Sequence, residues 1–369
     1  MTQKIAIIVG TRPEAIKLIP VYLELKKRFP TTELVSTGQH ATMLEQIFSF
    51  FEIAADVKLE VMQPNQSLAG LTARLSESLQ RCYVDRNYNL VIVQGDTTTA
   101  MVGSLVAYYN KIKVAHVEAG LRTYNKYSPF PEELNRQIIG RIADINFAPT
   151  KKAMKVLENE GISNCYLVGN TVIDSLMLCL EKMNKNIQLY EQKYERLNDF
   201  QRIILITGHR RENFGHGFDR ICGAIKILAS QYPHYLFYYP VHLNPNVRNK
   251  VKEALGNLEN VILDDPLPYD ELVFLMSRSF IILTDSGGIQ EEGPTLDVPI
   301  LVMRDTTERQ EGIESGCAIM VGTSETKIVS EFNALVTDAD RYKSMAEAKN
   351  PYGDGKASQY IADVLRTGI

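Results

Sequence analysis

Residues Lys4–Lys27 read KIAIIVGTRPEAIKLIPVYLELKK. The apolar run Ile5–Val9 meets Gly10-Thr11-Arg12-Pro13 at once, and a helical pattern, Glu14–Lys27, follows. A short Ile- and Val-rich run with no polar alternation suits a strand buried on both faces. Glycine frees the turn, and Pro13 suits the first turn of a helix. The scheme recurs. Apolar runs at Leu34–Ser36, Leu90–Gln94, Val114–Val117, Ile145–Phe147 and Tyr166–Val168 alternate with helical patterns such as Leu68–Tyr83. A second series runs through Ile203–Thr207, Tyr235–Val241, Val261–Leu263, Phe280–Thr284 and Ile300–Met303. Strand and helix in alternation predict α/β architecture with parallel sheets wrapped in helices.

The chain has 369 residues and a mass of 41.6 kDa, too long for one ordinary core. The two series predict two Rossmann-like domains facing a cleft, residues 1–182 and 183–350. The polar stretch Met183–Gln201 between them reads as a linker, partly helical. Hydrophobic residues at 45% and charged residues at 23% match globular proteins. A formal net charge of −4 gives no global basic footprint, so nucleic acid is not an expected partner. Any anionic ligand must be held by a local cluster. Cys82, Cys165, Cys179, Cys222 and Cys317 form no C-x-x-C pair and are expected as buried thiols. The first apolar run is too short for a secretory leader, and no stretch is long enough for a membrane span. A cytoplasmic location without membrane association is the expectation.

Ligands on such sheets bind beyond the carboxyl ends of the strands, so the residues after each run carry the information. Gly10-Thr11-Arg12, with Lys17, places cations at a helix N-terminus, a setting for anions. It matches neither a P-loop nor the dinucleotide G-x-G-x-x-G. Asp96 follows Leu90–Gln94, Glu118 follows Val114–Val117, and Pro131 precedes Glu132 at a helix start. Alone, Asp96 reads as a cap of the next helix. Together the three are carboxylates at strand and helix ends of one domain, suited to acid/base work on opposite faces of a substrate. In the second half, Ile203–Thr207 runs into Gly208-His209-Arg210-Arg211. His209 at a strand end is a candidate acid or base, and the guanidinium forks match phosphate oxygens. His242 and Asn244 close another strand. Leu283–Thr284 ends in Asp285-Ser286-Gly287-Gly288, whose backbone N–H groups suit a diphosphate, with Glu292 placed for ribose hydroxyls. Arg304 and Arg309 follow the next strand. The six histidines show no metal-ligand spacing, and His116 reads as a buried strand histidine.

These segments in order resemble the non-hydrolysing UDP-N-acetylglucosamine 2-epimerases. The match comprises GTRPEAIK (Gly10–Lys17), QGDTTT (Gln94–Thr99), HVEAGLRT (His116–Thr123), PEELNRQ (Pro131–Gln137), GNTVID (Gly169–Asp174), TGHRREN (Thr207–Asn213), HLNPNVR (His242–Arg248), LTDSGGIQEE (Leu283–Glu292), RDTTERQEG (Arg304–Gly312) and NPYGDGKAS (Asn350–Ser358). The resemblance implies a glycosyltransferase-B-like fold and a C-terminal helix, 351–369, crossing back to the first domain. It implies a homodimer and a UDP-sugar substrate, with no metal or nicotinamide cofactor. The implied reaction is reversible inversion at C2, giving UDP-N-acetylmannosamine for cell-envelope or capsule polysaccharides. The implied route is elimination of UDP to a 2-acetamidoglucal, then re-addition.

On this pattern Asp96, Glu118, Glu132 and His209 form the expected catalytic set. Arg12, Lys17, Arg136, Arg210, Arg211, His242, Asn244, Ser286, Gly287, Gly288, Glu292 and Arg309 form the expected substrate set. Many bacterial members also bind a second UDP-N-acetylglucosamine as activator. Gln39, Glu132, Arg211 and His242 match that site. Thr42 and Asn65 depart from the strongly regulated members, which predicts weaker activation. A retaining glycosyltransferase, a hydrolysing epimerase and a non-catalytic nucleotide-sugar sensor are the rival readings. The full carboxylate set speaks against the first and the last.

Overall fold

Ile5–Val9 is a strand with no exposed residue, and it sits near the middle of the first of two parallel sheets. The computed structural model describes residues 3–39, 41–63, 66–208 and 216–368, with residues 41, 42, 246 and 368 described by backbone alone. The strands of the first sheet are β1 (Ile5–Val9), β2 (Glu33–Ser36), β3 (Val57–Lys58), β4 (Leu90–Gln94), β5 (Lys113–Val117), β6 (Ile145–Ala148) and β7 (Cys165–Leu167). Their order is β3-β2-β1-β4-β5-β6-β7, every pairing parallel. The second sheet holds β8 (Arg202–Thr207), β9 (Tyr235–Pro240), β10 (Val261–Asp264), β11 (Ile281–Thr284), β12 (Ile300–Val302) and β13 (Ala318–Met320). Its order is β10-β9-β8-β11-β12-β13, again all parallel. The chain adopts the expected α/β class with two Rossmann-like units. β3 and β13 were not expected. Both are very short edge strands, and two or three residues carry no periodicity to read.

The chain divides into two compact units, Met1–Leu178 with Tyr352–Ile369, and Cys179–Pro351. The stretch expected as a linker is not loose. Ile187–Lys193 is helical and Glu195–Asp199 forms a 3₁₀ turn. Tyr190 and Tyr194 stack on Phe274, with ring centroids 5.6 and 5.5 Å away. The Tyr190 hydroxyl donates to Asp270 at 2.6 Å. The polar composition concealed two aromatic anchors that fasten the segment to helix Tyr269–Arg278 of the second unit.

The C-terminal helix Ala357–Gly368 belongs to the first unit and packs on helix Arg12–Arg28. Two details explain this packing. Pro20 lies inside helix Arg12–Arg28 and has no N–H for the carbonyl of Ile16. The buried Ser175 hydroxyl donates to that carbonyl instead, joining helix Thr171–Asn184 to it. Asp174, on the same helix as Ser175, caps the C-terminal helix. Its carboxylate accepts from the Ser358 N–H at 2.7 Å, the Ser358 hydroxyl at 2.5 Å and the Ala357 N–H at 3.2 Å. The Asn170 N–H also donates to the Tyr352 carbonyl at 2.7 Å. The GNTVID and NPYGDGKAS segments thus meet each other. Asp174→Ala is expected to cost about 2–4 kcal/mol, a lost cap plus buried N–H groups left unsatisfied. Urea unfolding and limited proteolysis at residues 352–368 check this; an unchanged midpoint with an intact C-terminus would refute it.

Candidate active site

In the first sheet the strand order switches direction between β1 and β4, and in the second between β8 and β11. Ligands of doubly wound sheets bind beyond the carboxyl ends of the strands at such points. The turns leaving β1 and β4 carry Gly10–Arg12 and Gly95–Asp96, and the turn leaving β5 carries Glu118. Those leaving β8 and β11 carry Gly208 and Asp285–Gly288. Both switch points therefore hold residues singled out by their place after a strand.

The β1 turn is organised by Glu14. Its Oε2 accepts from the Gly10 N–H at 3.0 Å, the Thr11 N–H at 2.7 Å and the Thr11 hydroxyl at 2.8 Å. Its Oε1 accepts from the Thr97 hydroxyl at 2.6 Å. One fully buried carboxyl thus ties the β1 turn to the β4 turn. Burial pushes its pKa up, against the pull of the hydrogen bonds from Thr97, Thr11 and Gly10. Gly10 has no room for a side chain, because a Cβ would stand 2.4 Å from Thr99 Oγ1 and 2.7 Å from Thr37 Oγ1. Thr99 donates to Gln39 at 2.8 Å, which places Gln39 beside the same turns. Arg12 is half-buried at the first position of its helix.

Asp96 is held by Arg136. The guanidinium Nε and Nη2 reach the same oxygen, Oδ2, at 2.8 and 2.7 Å. The Asp96 side chain keeps 26% of its surface exposed, against 8% for Arg136. Arg136 also donates to Glu133 at 3.2 Å, and the Asn135 amide donates to the Asp96 carbonyl at 2.8 Å. Glu133 is fully buried. Burial alone would raise its pKa, but donors from Thr123, Gln137, Tyr124 and Arg136 hold its carboxyl below the ordinary range. Glu132 opens helix Glu132–Ile142. Its Oε2 is buried with no hydrogen-bond partner among the described residues.

Glu118 takes a left-handed backbone, φ 65°, as the chain leaves β5. Its Oε2 receives the Lys17 ammonium at 2.5 Å and the Gln94 amide at 2.6 Å, and only 6% of its side chain is exposed. Lys17 was expected to hold substrate phosphate. The structure gives it a buried carboxylate partner, Glu118, from the packing of helix Arg12–Arg28.

In the second unit, Thr207 and Thr284 join the ends of β8 and β11 through a 2.6 Å hydroxyl contact. The Ser286 N–H donates to Thr284 Oγ1 at 2.9 Å. Ser286 stands at the N-terminal boundary of the short helix Gly287–Glu292. Arg309 lies against Gly287, where a Cβ would stand 2.9 Å from its Cζ, and it donates to the buried Glu291 at 3.0 Å. Glu292 accepts from the Tyr269 hydroxyl at 2.6 Å. Arg309 and Glu292, expected at the ligand, thus also brace the turn. His242 is exposed, and its Nδ1 accepts from the Asn244 N–H at 3.1 Å. His209, Arg210, Arg211 and Asn65 lie outside the described residues, as does the Thr42 side chain.

The supporting residues Glu14, Gln94, Glu133, Asn135, Tyr269 and Glu291 are not among the expected site residues. One of them had a local signal, since Glu14 stands at capping-box distance from Thr11. Glu133 acts within ten residues, on Thr123, Tyr124, Arg136 and Gln137, and the others act over longer separations.

Comparison with known proteins points to one family. A family model described as UDP-N-acetylglucosamine 2-epimerase matches residues 23–366. The UDP-N-acetylglucosamine 2-epimerase of Campylobacter jejuni is 48% identical over 100% of this chain and 98% of its own. That of Neisseria meningitidis serogroup A is 46% identical over 98% of this chain and 99% of its own. The crystal structure of UDP-GlcNAc 2-epimerase from Neisseria meningitidis bound to UDP-GlcNAc superposes with a TM-score of 0.94 at 46% identity, covering 99% of this chain and 100% of that one.

Proposed function

The chain belongs to the UDP-N-acetylglucosamine 2-epimerase family, and from that premise we propose that it interconverts UDP-N-acetylglucosamine and UDP-N-acetylmannosamine. The chain is an isomerase with a glycosyltransferase-B-like fold. The observation that carries the reading is the pairing of Asp96 with Arg136 and of Glu118 with Lys17 at adjacent strand ends.

The chemistry explains why such groups are needed. The C2 proton of an N-acetylhexosamine is not next to a carbonyl, so direct abstraction is hard. Breaking the C1–O bond first lets UDP leave with the electron pair and builds positive charge in the ring. That charge acidifies the C2 proton. A carboxylate takes the proton, leaving a C1=C2 double bond, the 2-acetamidoglucal. Protonation at C2 from the other face and attack of the diphosphate oxygen on C1 then give the epimer. In this scheme Asp96 and Glu132 exchange the proton on opposite faces, and Glu118 stabilises the ring cation. His209 assists the departing diphosphate. Arg12, Lys17, Arg136, Arg210 and Arg211 contact the UDP-sugar together with the Ser286–Gly288 turn, His242, Asn244, Glu292 and Arg309. Lys17 sets the position of Glu118.

The reading includes three further points: a homodimer, a product directed to cell-envelope or capsule polysaccharide, and a muted response to a second UDP-N-acetylglucosamine at Gln39, Glu132, Arg211 and His242. Asn65 and Thr42 motivate the last, since a lost arginine removes a phosphate clamp. No helix among the described residues is long and apolar enough to cross a membrane.

Proton NMR of UDP-N-acetylglucosamine with the full-length chain in D₂O tests the whole reading. A second UDP-sugar carrying deuterium at C2 is the expected result. Free N-acetylmannosamine with UDP would make it a hydrolysing enzyme, and slow hydrolysis without epimer would favour a transferase. A strongly sigmoidal rate, with UDP-N-acetylmannosamine inert until a trace of its epimer is added, would refute the muted activation.

A further inference from the structure

His116 lies in β5 and is 1% exposed, so it cannot touch a substrate. Its Nε2 is 2.8 Å from the carbonyl oxygen of Gly95. A carbonyl can only accept, so that nitrogen carries the hydrogen. Strand register places His116 opposite Val93 and Val117 opposite Gln94, the last residue of β4. The ring therefore reaches forward to the residue just beyond the neighbouring strand. The Gly95 N–H is held as well, donating to the Val117 carbonyl at 3.0 Å. Both polar groups of Gly95 are thus fixed from β5, while the residue itself turns through a left-handed φ of 70°. The next residue is Asp96. Burial, with Arg122 and Arg136 in electrostatic range, pushes the His116 pKa down to about 4, against the pull of the Gly95 bond. The ring is then neutral near physiological pH, and its hydrogen is committed to Nε2.

We propose that His116 is a positioning residue for the reaction, a fixed neutral donor that sets the Gly95 turn and through it the direction of the Asp96 carboxylate. This rests on the reading of Asp96 as a proton-exchanging group. Arg136 and Asn135 hold Asp96 from helix Glu132–Ile142. His116 holds the preceding carbonyl from the sheet. With one side released, the carboxylate still pairs with Arg136 but pivots relative to the sugar. A shorter polar side chain on β5 could not span from the strand to Gly95, which is a physical reason for histidine here.

The test uses full-length His116→Phe, which keeps a ring without the donor, and His116→Gln, whose side-chain N–H has similar reach. With His116→Phe, kcat is expected to fall about 10- to 100-fold while KM moves less than roughly threefold, because a misaimed group costs rate more than binding. His116→Gln should recover most of the loss. In an Asp96→Asn background, His116→Phe should cost nothing further, since both act through one group. An undiminished kcat in His116→Phe, an equal loss in His116→Gln, or fully additive losses with Asp96→Asn would each overturn the proposal. Should His116→Phe not fold, His116→Asn supplies a donor too short to reach Gly95 and is judged by the same criteria. A wild-type chain that forms no second UDP-sugar defeats the functional reading itself, which is a separate outcome.

Discussion

An Asp96→Asn variant is expected to lose about three orders of magnitude both in turnover and in solvent deuterium uptake at C2, the scale of a lost acid/base group. The amide has nearly the shape of the carboxylate, and its oxygen can still accept from Arg136. It cannot take or return a proton. Arg136 is not left as a lone buried charge, because Glu133 stays within 3.2 Å of it. The fold should therefore survive with little change in the unfolding midpoint, and UDP should bind nearly as before. Proton NMR in D₂O checks the uptake, and calorimetry with UDP checks the binding. Undiminished exchange would remove Asp96 from the proton step. Exchange that continues while epimer formation stops would confine Asp96 to the second face.

Lys17→Met is the variant with the largest expected effect on stability, a loss of about 3–5 kcal/mol. The Lys17 and Glu118 side chains are only 10% and 6% exposed, and the ammonium is 2.5 Å from the carboxylate. Removing the cation strands a buried anion, and that stranded charge is what destabilises the variant. Gln94 remains as a 2.6 Å donor to Glu118 and offsets part of the cost. Adding Glu118→Gln to Lys17→Met should restore most of the stability but not the turnover, since the charge near the ring would still be absent. Urea unfolding of the four members of this cycle measures the coupling. Were Lys17 chiefly a phosphate ligand, Lys17→Met would raise KM and leave the unfolding midpoint in place. That outcome would reject the pairing as its main role.

The pH dependence of stability is a smaller but direct check on His116. Its folded pKa is lowered, to about 4, from the ordinary 6.5. The unfolded chain then binds more protons across that interval. Its contribution to stability is complete above about 6.5 and is lost as pH falls towards 4. Glu14 and Asp174, whose pKa values burial raises, act in the opposite sense at low pH. The comparison of wild type with His116→Gln isolates the histidine. The variant should lose stability less steeply between pH 6.5 and 4. Parallel slopes would show that the ring titrates normally.

Much of this was legible in the amino-acid order. The run Ile5–Val9 gave a strand with its bounds, because five buried residues between a charged start and a glycine turn leave one reading. Asp96, Glu118 and Ser286–Gly288 could be picked out because they directly follow such runs. The edge strands β3 and β13 could not, being too short for any pattern. The stretch after Met183 looked like a linker because polar residues dominate it, while its stability comes from two tyrosines meeting Phe274 some eighty residues on.

By itself the sequence determined the two parallel-sheet units and which residues stand at the carboxyl ends of their strands. Both follow from local periodicity and turn chemistry, which act over a few neighbouring residues. Only the tertiary structure decided which residue holds which. Glu118 meets Lys17 across 101 residues, Asp96 meets Arg136 across 40, and Asp174 caps a helix 184 residues away. Buried charge and buried backbone must find partners wherever packing brings them. No local rule says in advance which carboxylate will be braced by a lysine, which by an arginine, and which, like Glu132, keeps a buried oxygen without a partner among the described residues.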